Sequence, residues 1–148
     1  MPNAATLEEL TYEECLDLLR AHTAGRIGVI VDGAPLVLPV NYRLVETTGV
    51  TWVAFRTRPG NVIDQASVHV AFEIDDLDEL HREGWSVLVR GTVHPVDPDV
   101  ASFRERFDPH PWLLAERDAW LVVQPFAITG RRLQGNKPEW AFEPRAYL

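Results

Sequence analysis

The chain has 148 residues, of which 46 % are hydrophobic and 24 % charged, a composition typical of one globular domain and not of a disordered or fibrous protein. Its 14 basic and 22 acidic residues give a formal net charge of -8, which repels nucleic-acid backbones and anionic lipid surfaces at long range. We therefore exclude nucleic acid and membrane surfaces as partners at this stage.

The cysteine content and the start of the chain bear on the cellular compartment. Cys15 is the single cysteine, so neither an intrachain disulfide nor a metal site of several cysteines can form. No apolar run approaches the roughly 20 residues that cross a bilayer, and the start MPNAATLEEL lacks the basic-then-apolar order of a secretory signal. We expect a cytoplasmic protein.

The first predicted element is a short amphipathic helix over residues 11–21. Thr11 and Glu14 have the spacing of a capping box, and apolar residues recur at helical spacing as far as Leu19. Gly25 is the predicted stop signal. We expect this helix to cover one end of a barrel.

A β-hairpin follows the helix. Asp32 and Gly33 separate two apolar runs, and a type I′ turn at this dipeptide requires positive φ at both residues. The second run extends to Leu44. Because Pro35 and Pro39 cannot donate ladder hydrogen bonds, the second strand is predicted to lie at a sheet edge or to be bulged.

The remaining chain also has the pattern of short strands. Between them, the acidic stretch 75–79 is typical of a solvated loop, and Pro98 is predicted to open a helix over 99–107. Six or seven short strands with turn signals predict a mainly β fold, a small barrel with a few short helices. Beyond the hairpin, strands are predicted at 50–56, 69–75, 84–94, 120–124 and 127–133.

The turn from Phe55 to Asp64 (FRTRPGNVID) is the most informative stretch for ligand binding. A predicted strand ends there in Arg56, Thr57 and Arg58, and a tight turn and the start of a short helix around 62–66 follow. Arginine binds phosphate through a planar fork, threonine adds a donor, and a helix N-terminus offers free backbone N–H groups. The pattern suits a phosphate monoester. The alternative is a surface turn whose arginines face carboxylates.

Several other catalytic and metal-binding patterns are absent from the sequence. The chain has no HExxH motif, no GxSxG motif and no GxxxxGK[ST] phosphate loop, and its five histidines are dispersed. We therefore predict no metal site and name no catalytic side chain.

Five motifs occur in the order expected of one family. They are PVNY at 39–42, FRT-x-PG at 55–60, VAFE at 70–73, GWSVLVRG at 84–91 and ITGRR at 128–132. The ordered set resembles the flavin-binding split β-barrel family related to pyridoxamine 5′-phosphate oxidase, over residues 8–133. The resemblance implies a split-barrel domain at 1–133, and we expect the aromatic tail 134–148 to pack on a partner subunit.

The resemblance also implies a cofactor, a partner and a set of site residues. It implies a homodimer that holds FMN, or in some relatives the deazaflavin F420, in a cleft at the subunit interface, where the flavin carries out the hydride chemistry. The site residues are assigned by position in the motifs. Arg56, Thr57, Arg58 and Asn61 would surround the phosphate, Val40, Asn41 and Tyr42 would lie beside the ring system, Trp85 and Ser86 would lie near the same cleft, and Trp112 would reach it from the partner.

Two departures from the family pattern bear on activity. Asn61 and Val62 occupy the place where relatives often have a lysine, so one phosphate-binding charge is absent. Arg131-Arg132-Leu133-Gln134-Gly135 replaces the substrate signature of the pyridoxamine phosphate oxidases. We therefore predict a flavin-dependent oxidoreductase that acts on a small molecule other than pyridoxamine phosphate. The alternatives are a non-catalytic split-barrel binding protein and an F420-dependent reductase, and the acidic balance disfavours the polyglutamate tail of F420.

Overall fold

The computed structural model describes residues 5–59, 68–113 and 118–135. Within these ranges all strand pairs are antiparallel, in the order β3-β2-β6-β7-β8-β5-β4, with β1 paired to β8. A short 3₁₀ turn, Val100–Ser102, precedes the second helix. The elements are β1 Thr6–Glu9, α1 Tyr12–Ala21, β2 Ala24–Val31, β3 Ala34–Asn41, β4 Arg43–Thr47, β5 Val50–Thr57, β6 His69–Asp78, β7 Glu83–Pro95, α2 Phe103–Phe107 and β8 Ala119–Gln134.

The sheet curls around one main core. Inward side chains from strands that are far apart in the sheet order, such as Ile27 of β2 and Phe55 of β5, belong to the same buried cluster. Strands β3 and β4 are the two edges of the sheet order, and only Tyr42 separates them in the chain. Because β3 also contacts β5, the two edges of the sheet meet. Helix α1 adds Leu16 and Leu19 to this cluster. The predicted mainly β barrel with few short helices is confirmed. Neither helix in the described ranges is long and apolar enough to cross a membrane.

Helix α1 begins where the sequence predicts. The Thr11 hydroxyl accepts a hydrogen bond from the Glu14 N–H at 3.2 Å, and the Glu14 carboxylate accepts one from the Thr11 N–H at 2.8 Å. Gly25 as a stop signal is wrong, because the helix ends at Ala21 and Gly25 lies inside β2. A Cβ on Gly25 would stand 2.6 Å from Cζ of Phe72, so this glycine allows β2 and β6 to approach closely.

The β2–β3 hairpin is also confirmed. Asp32 and Gly33 have φ values of 50° and 77°, as a type I′ turn requires. Strand β3 lies at the edge of the described sheet and contains both Pro35 and Pro39. The strand predicted to reach Leu44 is divided, because β3 ends at Asn41 and β4 starts only at Arg43.

Other boundaries differ from the prediction. The acidic stretch 75–79 is mainly strand rather than loop, since β6 continues to Asp78, which pairs with Glu83. The two predicted C-terminal strands are one strand, β8, with a bulge at Phe126 that accommodates the missing N–H of Pro125. Strand β1 was not predicted. The helix predicted over 99–107 begins only at Phe103, because the two residues before it adopt left-handed φ values.

Candidate functional site

The end of β5 and the end of β3 lie side by side. Arg43 of β4 pairs with Ala54 of β5, so Asn41, two residues earlier in the chain, comes to the level of Arg56, and β3 contacts β5. The segment after α2 joins both strands. The carboxylate of Asp108 accepts a hydrogen bond from Arg56, and the Trp112 N–H donates to Oδ1 of Asn41 at 3.0 Å. We call the surface formed by residues 40–41, 56–58 and 108–112 the β3–β5 surface.

Arg56 is held by an acid on one side and an aromatic ring on the other. Its Nη1 lies 3.1 Å from Oδ1 and 3.4 Å from Oδ2 of Asp108, and its Cζ lies 4.8 Å from the centre of the Trp120 ring. Burial alone would raise the pKa of Asp108, but the His110 N–H and the Arg56 guanidinium outweigh it and hold that pKa below its usual range. Arg56 therefore has the arrangement given as the alternative in the sequence analysis, in which an arginine of this turn faces a carboxylate.

The residues after Arg56 point to different environments. Thr57 is buried, whereas Arg58 is exposed directly after the end of β5. The fourth predicted phosphate ligand, Asn61, and its neighbour Val62 lie outside the described residues, as does the helix predicted around 62–66. The described part of the turn thus contributes one partly exposed, ion-paired arginine and one exposed arginine.

The three predicted ring neighbours, Val40 and Asn41 at the end of β3 and Tyr42 directly after it, differ in how much they can offer a ligand. Val40 is half-buried and packs against the main core. The amide of Asn41 receives the Trp112 N–H and lies 3.4 Å from the carbonyl oxygen of Thr23. Tyr42 is buried, and its hydroxyl donates to the carbonyl oxygen of Leu19 at 2.8 Å. The Tyr42 side chain therefore lies in the core beneath the surface, and Asn41 is the polar group that faces the segment 108–112.

Replacement of Tyr42 by phenylalanine removes that buried hydrogen bond. The carbonyl of Leu19 loses its donor in a site that water does not reach, so we expect the free energy of unfolding to fall by about 1–2 kcal/mol. Urea unfolding followed by tryptophan fluorescence measures the change. Tyr12→Phe, at the half-exposed start of α1, is the matched control and should change the value by at most about 0.5 kcal/mol. Equal effects of the two substitutions would contradict the role of the Tyr42 hydroxyl.

The two predicted site tryptophans, Trp85 and Trp112, lie at different distances from the centre of the site: one belongs to the β3–β5 surface and the other adjoins it. Trp112 belongs to it, with 77 % of the residue exposed. The centre of the Trp85 ring lies 4.9 Å from that of the His22 ring. The carbonyl oxygen of Thr23, which follows His22, accepts a hydrogen bond from the Tyr42 N–H at 2.9 Å. Trp85 therefore adjoins the surface through the segment 22–23. Ser86 follows Trp85 in β7 and pairs with Asp75 and Arg131 in the sheet.

Sequence patterns did not reveal an ionic cluster on the outer face of β2 and β6. Nη1 of Arg26 lies 3.2 Å from Glu73 and 2.8 Å from Asp75. Burial, and next the neighbouring Asp75, raise the pKa of Glu73 to about 7, while the hydrogen bond from Glu73 helps to lower the pKa of Asp75. Arg26 of β2 is 47 positions from Glu73 and 49 positions from Asp75, which both lie in β6. Only the pairing of these two strands brings the three residues together.

The raised pKa of Glu73 predicts that stability falls as the pH rises from about 4.5 to about 7. Between the ordinary value of 4.5 and about 7 the folded chain binds more protons than the unfolded chain, so stability falls as pH rises through this window. Glu73→Gln should remove this dependence and be more stable than the parent at pH 8 by on the order of 1 kcal/mol, because partial exposure screens the effect. Urea unfolding at pH 5 and pH 8 tests it, with the exposed Glu79→Gln as control. Parallel pH profiles for parent and Glu73→Gln would contradict it.

No three histidine, cysteine, aspartate or glutamate side chains are grouped to hold a metal ion in the described ranges.

Comparisons with known proteins agree with the motifs. A family model described as pyridoxamine 5′-phosphate oxidase matches residues 11–132. An uncharacterized protein of Mycobacterium tuberculosis, Rv0080, is 32 % identical over 140 residues, which are 88 % of each chain. A FAD-binding protein from Mycobacterium smegmatis is 34 % identical, with a TM-score of 0.63 over 86 % of this chain and 98 % of that one.

A second solved structure, a candidate pyridoxamine 5′-phosphate oxidase from Corynebacterium glutamicum, is 25 % identical. It superposes with a TM-score of 0.73 over 93 % of this chain and 99 % of that one. The match of the family model spans most of the chain, and both structures share its curled antiparallel sheet. The chain therefore belongs to the pyridoxamine 5′-phosphate oxidase family, and its barrel is the split β-barrel of that family.

Proposed function

We propose that this protein is a flavin-binding oxidoreductase that holds its cofactor on the β3–β5 surface. The observation that carries the proposal is the convergence of Asn41, Arg56, Arg58 and Trp112, which come from three separate parts of the sequence. The family assignment and the FAD-binding relative at 34 % identity support a flavin as the ligand. The substrate is a small molecule other than pyridoxamine phosphate.

The residues present fit the parts of a flavin nucleotide. Arg58 and the accessible part of Arg56 suit the phosphate, because guanidinium groups form strong charge-assisted hydrogen bonds with it. The Asn41 amide and the edge backbone of β3 suit the polar edge of the ring, and the exposed Trp112 ring suits its face. The flavin, when bound, supplies the hydride chemistry. The chain binds and orients it and excludes water from one face.

The cofactor class is a flavin or a deazaflavin, with FMN, FAD and F420 as the members to compare. The family resemblance implies FMN or F420, and the relative from Mycobacterium smegmatis binds FAD. The visible absorption of the purified protein, followed by titration with each of the three, tests the proposal. We expect at least one to bind at micromolar concentration. A colourless protein that binds none of them at this concentration would overturn the flavin proposal and leave the fold assignment intact.

One observation favours a second candidate, a non-catalytic binding protein on the same scaffold. The Asp108 carboxylate occupies part of the Arg56 fork, and the sequence has Val62 where relatives often have a lysine. Both features weaken the attraction for a phosphate. The same titration separates the candidates, because this one predicts no flavin binding at micromolar concentration.

We further propose that the protein works as a homodimer in which the partner completes the cofactor cleft. Trp112 of the β3–β5 surface and its neighbour in the chain, Leu113, are large, apolar and strongly exposed, and covering such side chains favours association. Light scattering on the purified protein should give twice the mass of one chain. Trp112→Ser together with Leu113→Ser should shift the equilibrium toward the monomer. A monomer at micromolar concentration in the parent would contradict this proposal.

A further inference from the structure

We propose that Asp108 sets the charge selectivity of the β3–β5 surface, so that the surface accepts a cofactor whose phosphates each carry one charge in preference to one that ends in a phosphate monoester. This inference rests on the proposed flavin binding and narrows the cofactor class. FMN ends in a monoester. In FAD the two phosphates are joined as a diphosphate, each with one ester bond, one anhydride bond and one charge, and in F420 the phosphate is a diester with one charge.

The pair of Asp108 and Arg56 is built into the fold. Arg56 has 16 % of its side chain exposed and Asp108 has 21 %, so water screens their attraction only in part. The His110 N–H donates to Oδ1 of Asp108 at 2.9 Å, and the guanidinium of Arg56 lies on the buried Trp120 ring. Both partners are thus oriented by contacts of their own. The negative charge is a fixed part of the surface, unlike that of a flexible surface ion pair.

The local charge is smaller than the two arginines of the turn suggest. Arg56 and Arg58 bring two positive charges, and Asp108 removes one of them. The sequence contains no lysine or arginine between Pro59 and Arg82. Arg104 also lies over the Trp120 ring, at 5.3 Å, but it is paired with Asp99 at 3.3 Å. The described residues of the β3–β5 surface in one chain therefore carry a net charge of about +1.

A net charge of one suits a singly charged group. A phosphate monoester carries about -1.5 to -2 at neutral pH. The attraction to a fixed positive charge grows in proportion to the ligand charge, whereas the cost of removing the ligand from water grows with its square. Doubling the ligand charge thus raises the desolvation cost more than the attraction. The carboxylate of Asp108 adds a direct repulsion that is also twice as large for the dianion.

The test compares ligands that share the flavin ring and differ in phosphate charge. Riboflavin has no phosphate, FMN has a monoester, and the monomethyl ester of FMN has a diester. Quenching of flavin fluorescence gives each dissociation constant at pH 8 and low salt. The parent protein should bind the methyl ester more tightly than FMN. Asp108→Asn, which keeps the shape and the acceptor for the His110 N–H, should strengthen FMN binding by on the order of tenfold and the methyl ester by at most about threefold.

A matched control and an internal reference make the outcome specific. Asp99→Asn removes the same charge from the other arginine that lies over Trp120 and should change neither phosphate ligand by more than about twofold. Riboflavin should bind equally well to parent and Asp108→Asn. If the parent binds FMN more tightly than the methyl ester, or if Asp108→Asn strengthens both equally, the inference is wrong. The parent comparison needs no variant and therefore stands even if Asp108→Asn does not fold.

The design separates this inference from the proposed function. Failure of riboflavin, FMN, FAD and F420 to bind the parent would overturn the flavin proposal itself. Flavin binding with an unchanged ratio between FMN and its methyl ester would overturn only the role of Asp108. Titration with FAD and F420 then identifies which of these two cofactors the surface takes.

Discussion

Replacement of Phe72 by alanine is expected to lower the free energy of unfolding by about 3–5 kcal/mol. Phe72 has no exposed surface and lies in β6, between the strands β2 and β7. Its ring meets that of Tyr42 edge-on, with centroids 4.8 Å apart. The close approach of Gly25 to Cζ of Phe72 fills the space around the end of the ring. The truncation would leave a cavity that the surrounding backbone cannot readily close.

Urea unfolding followed by tryptophan fluorescence measures this loss. Small domains have a total stability of about 5–15 kcal/mol, so Phe72→Ala should unfold at a much lower urea concentration than the parent. Phe126→Ala is the matched control, because Phe126 lies on the bulge of β8 with 61 % of the residue exposed and should cost at most about 1 kcal/mol. A loss below about 1 kcal/mol for Phe72→Ala would mean that the ring does not belong to the core.

Replacement of Arg56 by alanine is expected to weaken the binding of a phosphate-bearing flavin by about 1.5–3 kcal/mol, or roughly 10- to 150-fold in the dissociation constant. The variant loses a charge-assisted hydrogen bond donor. It also leaves the Asp108 carboxylate, which Arg56 contacts at 3.1 Å, without this counter-charge beside the phosphate. Both effects act against an anionic ligand.

Two comparisons identify the cause of the Arg56→Ala effect. Riboflavin carries no phosphate, so its affinity should change little, and a loss for riboflavin equal to that for FMN or FAD would indicate damage to the surface as a whole. Arg104→Ala removes the other guanidinium over Trp120, which is paired with Asp99, and should change the affinity by less than about threefold. Unchanged FMN and FAD affinity in Arg56→Ala would mean that the phosphate binds elsewhere.

Features with a local physical cause were predictable from the sequence. The capping box at Thr11 depends on two residues three positions apart, and the positive φ values at Asp32 and Gly33 follow from the chemistry of one dipeptide. The prolines of β3 exclude it from the middle of a sheet, whatever its neighbours are. The alternation along β5, with Phe55 in the main core and Ala54 in a second cluster with Val45, follows from the two-residue period of a strand.

Features that depend on neighbouring strands were not predictable in this way. The acidic end of β6 forms a strand because β7 pairs with it as far as Glu83, although its composition is that of a loop. Gly25 resembles a helix stop and in fact makes room for Phe72. Strand β8 passes through Pro125 without interruption, because a bulge opposite β7 absorbs the lost donor.

The sequence by itself determined the mainly β class, the start of α1, the β2–β3 hairpin, the family motifs and the choice of the turn after β5 as the candidate site, because each depends on residues close together in the chain. Only the tertiary structure decided which side chains from distant parts of the sequence lie beside that turn. Asp108 lies 52 positions from Arg56, and Trp112 lies 71 positions from Asn41. Contacts over such separations arise from the closure of the barrel and the path of the segment after α2, which no local pattern encodes.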